Sequence, residues 1–191
     1  MTIRDWLEGL SYKLVQGSLD VEVNEVVYDS RKAAPGAVFV CMKGTKIDSH
    51  DFVGQVTDAG VKVLVTEHAV EAPADVTVVE TANGREALAL LSAARFGYPS
   101  RKLTMIGVTG TKGKTTTTHM IKTILETAGK KTGMIGTNGV YIGEEHFPTV
   151  NTTPESYDLH RYFAKMVEEG VLRDGGFLPG NEDAPGRRHP V

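Results

Sequence analysis

The chain has 191 residues, 40% of them hydrophobic and 24% charged, with a formal net charge of −3. That length holds one large domain or two small ones, with the composition of an ordinary globular protein. The slight negative charge argues against a nucleic-acid binder, whose footprint is basic. The lone Cys41 excludes an internal disulfide, and no apolar run is long enough to cross a membrane. Arg4, Asp5 and Glu8 break up the first ten residues, which therefore do not read as a signal peptide. A cytoplasmic protein is the expectation. Cys41, between Val40 and Met42, reads as a small buried residue rather than a nucleophile.

Ile3, Trp6, Leu7 and Leu10 fit one face of a short helix. Val21, Val23, Val26 and Val27 suggest a strand ending at Tyr28-Asp29-Ser30-Arg31. After the Pro35-Gly36 turn, Ala37 to Met42 reads as a buried strand. A polar connection, Gly44 to His50, leads to a helix marked by Phe52, Val53, Val56 and Ala59 and stopped by Gly60. Val61 to Thr66 and Val76 to Val79 are further strands. Asn83 with Glu86 has the spacing of a capping box, and the helix that follows buries Ala87, Leu88, Leu91 and Ala94. Tyr98-Pro99-Ser100-Arg101 breaks the pattern and reads as a domain boundary. Strand and helix alternate up to there, so residues 1–100 read as a small α/β domain.

A second unit begins at Leu103. The apolar run to Val108 is followed by Thr109-Gly110-Thr111-Lys112-Gly113-Lys114-Thr115-Thr116 and then a helical pattern closed by Gly129. Strand, glycine-rich turn, lysine, hydroxyl and helix is the layout of a phosphate-binding loop. Its glycines let backbone N–H groups close on phosphate oxygens, and the helix N-terminus adds a positive dipole end. Lys114 reaches toward β- and γ-phosphates, and the Thr115 hydroxyl suits Mg²⁺. The usual spacing is not met, because Val108 stands where its first glycine belongs. Threonines are poor helix formers, so the helix after the loop depends on packing and on bound phosphate.

Lys131 to Gly136 completes a βαβ unit with parallel pairing and a right-handed crossover. Val140 to Ile142 is a short strand before a loop over Gly143 to Asn151. Thr153 is the expected N-cap of another helix, with Pro154 at its first position; Leu159, Tyr162, Phe163, Met166 and Val167 form its apolar face and Gly170 its end. Asn151-Thr152-Thr153 lies beyond the carboxyl end of a strand, where open parallel sheets bind ligands; a plain helix cap is the equal alternative. Residues 171–191 are rich in Gly and Pro and read as a disordered tail. The six histidines show no metal-ligand spacing, and no guanine-reading N-K-x-D motif is present.

The stretch Gly107-Val108-Thr109-Gly110-Thr111-Lys112-Gly113-Lys114-Thr115-Thr116 resembles the ATP loop of the Mur ligases and their folylpolyglutamate synthetase relatives, whose G-T-x-G-K-[TSG] pattern accounts for Val108. Two further stretches resemble the tripeptide-forming branch of that family. The first runs from Tyr28-Asp29-Ser30-Arg31 through Pro35-Gly36-Ala37-Val38-Phe39-Val40 to Gly44 and Asp48; the second is Asn151-Thr152-Thr153-Pro154-Glu155-Ser156. Lys112 departs from the Asn usual in relatives, and Ser49 from the usual Gly.

The resemblance implies an α/β fold: a small UDP-binding N-terminal domain over 1–100, then the start of a P-loop parallel-sheet central domain over 101–170. It implies an ATP- and Mg²⁺-dependent ligase of peptidoglycan synthesis. Such an enzyme activates the D-glutamate carboxylate of UDP-MurNAc-L-Ala-D-Glu as an acyl phosphate and joins it to a diamino acid, meso-diaminopimelate or L-lysine. Gly110, Thr111, Lys112, Gly113, Lys114, Thr115 and Thr116 are then the ATP-binding residues, with Lys114 catalytic and Thr115 on the metal. Ser30, Asn151, Thr152 and Thr153 are the substrate-binding ones. A monomer that neither enters a membrane nor binds nucleic acid is expected.

Members of the family are more than twice as long as this chain. Permitted codons for Val171 to Val191, shifted by one base, read Cys-Phe-Val-Met-Glu-Val-Ser-Ser-Gln and onward, which resembles the family's next motif. A frameshift is therefore expected, with truncation and loss of ligation. A non-catalytic ATP- or UDP-sugar-binding fragment and another Mur-type or folylpolyglutamate ligase are the alternatives.

Overall fold

The computed structural model describes residues 1–45, 47–148 and 154–171, and the backbone of 176–179. The chain divides into two compact units, Met1–Arg95 and Phe96–Val191. The break precedes the Tyr98–Arg101 stretch, and a short 3-10 turn, Pro99–Lys102, belongs to the second unit.

The first unit opens with α1 (Ile3–Trp6), where Thr2 and Asp5 cap each other. It then carries β1 (Tyr12–Gln16), β2 (Glu25–Val27), β3 (Ala37–Val40), α2 (Val53–Asp58), β4 (Val63–Thr66), β5 (Thr77–Thr81) and α3 (Gly84–Arg95). Its sheet has the order β1-β5-β4-β3-β2. β2 to β5 are parallel and β1 is antiparallel at the edge. Every residue of β3 and β4 is buried, as expected of parallel strands covered on both faces. Phe39, Leu64 and Val78 share a core with Val53 and Val56 of α2. α3 lies against β2, β3 and β4 through its buried face, which includes Ala87, Leu88 and Leu91. Asn83 caps α3, its Oδ1 accepting from the N–H groups of Arg85 and Glu86.

Two features differ from the sequence expectation. β1 has no periodic signature, since four of its five residues are exposed, and it is held by its ladder to β5. The strand expected from Val21 is shorter, because Glu22 forms an isolated bridge with Thr2 instead of extending β2.

The second unit contains β6 (Met105–Val108), α4 (Lys114–Thr127), β7 (Gly133–Gly136), β8 (Gly139–Ile142), β9 (Glu145–Phe147), α5 (Ser156–Glu168) and β10 (Gly176–Pro179). The sheet order is β6-β10-β7-β8-β9. β10 runs parallel to both β6 and β7, and β7, β8 and β9 form an antiparallel meander. Leu103, Ile135, Val140, Ile142, Phe163 and Met166 make its core. Gly133 lets α5 approach β7: a Cβ there would stand 2.5 Å from Met166 Sδ.

Three expectations are corrected here. The loop expected from Gly143 contains β9, a three-residue strand too short to show a periodic pattern, whose ladder to β8 supplies the backbone pairing. The N-cap of α5 is Glu155, which accepts from the N–H of Ser156, rather than Thr153. Within the segment expected to be disordered, Gly176–Pro179 form β10, paired along its length with β6 and over Gly176 and Phe177 with β7, despite the Gly and Pro content.

Candidate functional site

The turn from β6 into α4 bends at two glycines. Gly113 has φ +80° and is the N-cap of α4, while Gly110 has φ +153°; side chains resist both conformations. A glycine cap brings no side-chain acceptor, and no acid stands in the first turn of α4. The first N–H groups of the helix are thus left for an outside anion. They border a hollow of about 180 Å³ lined by Thr111, Lys112, Gly113, Lys114, Thr115 and Thr116. The half-buried Lys114 folds its ammonium onto the Gly110 carbonyl, so a cation already sits over the loop. Donors, dipole and cation fit a polyphosphate, and the exposed Thr115 hydroxyl fits a hard divalent cation. α4 forms although threonine-rich. Thr118, Thr123 and Thr127 each donate a hydroxyl hydrogen bond to a carbonyl of their own helix.

Sequence reasoning missed Thr137, in the turn between β7 and β8. Its Oγ1 lies 3.4 Å from Thr115 Oγ1. Only its place after a strand of the same sheet could have signalled it.

In the first unit, Ser30 begins a 3-10 turn just past the carboxyl end of β2 and is half-buried. Asp29 caps that turn and also receives the Arg31 guanidinium at 2.9 and 2.7 Å. The Arg31 hydrogen bonds hold the Asp29 carboxyl down at about 2.

Beside this turn, the ends of β3 and β4 are joined by polar side chains. Asp48 Oδ1 accepts from the His50 backbone at 3.1 Å and from His50 Nδ1 at 2.5 Å. His50 Nε2 accepts from the Glu67 N–H at 2.9 Å, and the Glu67 carboxylate accepts from the N–H groups of Lys43 and Gly84. Asp48, His50 and His68 offer ligand atoms within 4.8 Å of one another. Both ring nitrogens of His50 are engaged, however, so it serves as a crosslink rather than a ligand. Ser49 takes part as well: its Oγ donates to the Met42 carbonyl and accepts from the Met42 N–H. Asn151, Thr152, Thr153 and Lys46 lie outside the described residues.

Residues 22–96 match the description "Mur ligase family, catalytic domain", and residues 108–172 match "Mur ligase middle domain". The chain belongs to the Mur ligase family. Among curated relatives, the UDP-N-acetylmuramoyl-L-alanyl-D-glutamate–2,6-diaminopimelate ligase of Clostridium perfringens is 44% identical over 171 residues, 90% of this chain and 35% of the relative. The ligase of the same name from Geobacillus thermodenitrificans is 46% identical over 155 residues, 81% of this chain and 31% of the relative. The chain therefore spans about a third of the length of the curated relatives it matches. A solved ligase structure of that name aligns with TM-score 0.74 at 19% identity, covering 95% of this chain and 36% of that one. The UDP-N-acetylmuramoylalanyl-D-glutamyl-2,6-diaminopimelate–D-alanyl-D-alanyl ligase from Acinetobacter baumannii aligns with TM-score 0.61 at 24% identity over 96% of this chain and 37% of its own. At these identities the structural likeness speaks to the fold alone.

Proposed function

We propose that this chain carries the UDP-substrate-binding and ATP-binding portions of a ligase that adds diaminopimelate to UDP-MurNAc-L-Ala-D-Glu in peptidoglycan synthesis. The printed names of the curated relatives support diaminopimelate over lysine. The observation that carries the reading is the uncapped, acid-free start of α4 beneath the Lys114 ammonium.

ATP with Mg²⁺ supplies the phosphoryl group that activates the D-glutamate carboxylate. Lys114 neutralises the phosphate charge and stabilises its redistribution during transfer. The N–H groups of residues 111–116 cradle the phosphates, and Thr115 is the protein hydroxyl on the cation. Lys112 adds a positive charge at the rim. Ser30 contacts the UDP portion, and Asn151, Thr152 and Thr153 hold the UDP-MurNAc-dipeptide. The first unit, Met1–Arg95, forms the UDP-substrate domain, the second, from Phe96, the start of the ATP domain, and 171–191 are a frameshifted tail. A cytoplasmic monomer suits a nucleotide-sugar substrate, and no described helix is long and apolar enough to cross a membrane.

The 191-residue chain binds nucleotide but does not ligate. Part of the support is that β6 is an edge of the described sheet and that Met120 and Ile124 of α4 are 61% and 65% exposed, which leaves a strand edge and an apolar helix face uncovered. Isothermal calorimetry with ATP–Mg²⁺ and with the UDP-dipeptide tests the reading. Binding of both ligands is expected. Lys114→Ala should weaken ATP at least about a hundredfold, the loss of a charge-assisted phosphate contact. An unchanged ATP affinity in that variant would remove Lys114 from the site. Tripeptide formation by the purified chain would refute the inactivity.

A further inference from the structure

We infer that Thr137 is a positioning residue for the Thr115 hydroxyl. The inference rests on the ATP–Mg²⁺ reading of the loop. A hydroxyl that gives a lone pair to a divalent cation becomes a stronger donor, and its proton must point away from the metal toward an acceptor. Thr118, Thr123 and Thr127 of α4 all turn their protons back onto carbonyls of the helix. Thr115 instead faces the β7–β8 turn, where Thr137 Oγ1 stands 3.4 Å away. Thr137 can pass its own proton to Asn138 Oδ1 at 3.5 Å. Metal ligand, Thr137 and Asn138 thus form a directed chain of donors in which each proton has a destination.

The turn that presents Thr137 is itself fixed. Gly136 pairs with Gly139 across the hairpin. Gly139 has φ +109°, and a Cβ on it would stand 2.5 Å from the Phe147 carbonyl oxygen. His146 Nε2 meets the Asn138 carbonyl at 2.7 Å, and its ring stacks on Tyr141 with centroids 4.4 Å apart. Tyr141 then meets His119 edge-on at 5.8 Å. His119 lies one turn along α4 from Thr115, so the contacts close a ring that begins and ends on the phosphate-loop helix. Such a ring holds the acceptor in place before the cation arrives.

Binding of a non-hydrolysable ATP analogue to the 191-residue chain, titrated with Mg²⁺ and repeated in EDTA, tests this. Thr137→Val keeps the shape and removes the hydroxyl. It should raise the Mg²⁺ concentration for half-maximal tightening by about tenfold to a hundredfold, the usual effect of deleting an outer partner of a metal ligand. Affinity in EDTA should stay within about twofold of wild type, and Thr137→Ser should restore the Mg²⁺ response. Thr137 is exposed, so substitutions there spare the core; circular dichroism checks the fold, and Thr137→Ala repeats the test should the valine variant misfold. A valine variant with the wild-type Mg²⁺ response overturns the inference. So does one that loses affinity equally with and without Mg²⁺, because that loss is merely structural. A wild-type chain that binds no analogue under either condition overturns the ATP reading itself and the inference with it.

Discussion

At the scale of single residues, the chain separates polar groups that are answered from a few, among the described residues, that are not. Asp48, His50 and Glu67 satisfy one another and the backbone around them. His160 of α5 is the contrast: its Nδ1 is buried without a hydrogen-bond partner, and burial pushes its pKa down to about 4 from 6.5. As pH falls below 6.5, the unfolded chain takes up a proton that the folded unit refuses until about pH 4. The contribution linked to His160 is therefore flat above 6.5, declines across that window, and amounts to a loss of up to about 3 kcal/mol in all. His160→Leu should flatten this part of the profile. Amide exchange across α5 between pH 7 and pH 4 measures it; equal acid sensitivity in the two proteins would show that His160 does not titrate as its burial implies.

Elements were legible where one physical signal dominated. β3 and β4 are continuous apolar runs because both faces are covered, and α3 was readable from its asparagine cap and its apolar stripe. The phosphate loop was legible because glycine, lysine and hydroxyl requirements coincide in ten consecutive residues. β1 and β9 were not, since mostly exposed strands hold through their ladders and leave no periodic trace. The Asp48–His50–Glu67 crosslink was hidden for another reason: the fold joins residues 17 apart in sequence. Gly133 belongs with these invisible features. Its value lies in what it lacks, because α5 seats Met166 where a Cβ would be. Gly133→Ala should destabilise the second unit by about 1–3 kcal/mol, the usual penalty of overpacking. Met166→Ala vacates that space. The alanine at 133 should then cost less in the Met166→Ala background than in wild type, and a double-mutant cycle in urea reads the coupling. Additive effects would mean that α5 shifts away without strain.

Over the whole molecule, the two units are finished to different degrees. In the first, β3 and β4 are wholly buried and α3 buries seven of its residues. In the second, only Thr118 of α4 is buried, and β6 is a sheet edge with no buried residue. Local opening follows such differences, because an element with few buried contacts opens at low free energy. Amides of β3 and β4 should therefore be the slowest to exchange, and those of β6 and α4 among the fastest. A ligand that binds only the folded form shifts that balance by mass action, about 2.7 kcal/mol at a hundred times its dissociation constant. Saturating ATP–Mg²⁺ should thus slow exchange in residues 109–127 by up to roughly a hundredfold and leave β3 and β4 unchanged. Hydrogen exchange read by mass spectrometry resolves the two regions. Protection spread evenly over both units would place nucleotide binding elsewhere. Protection confined to the loop and α4 would show that the first turn of a helix with one buried side chain draws its order from the anion it was left open to receive.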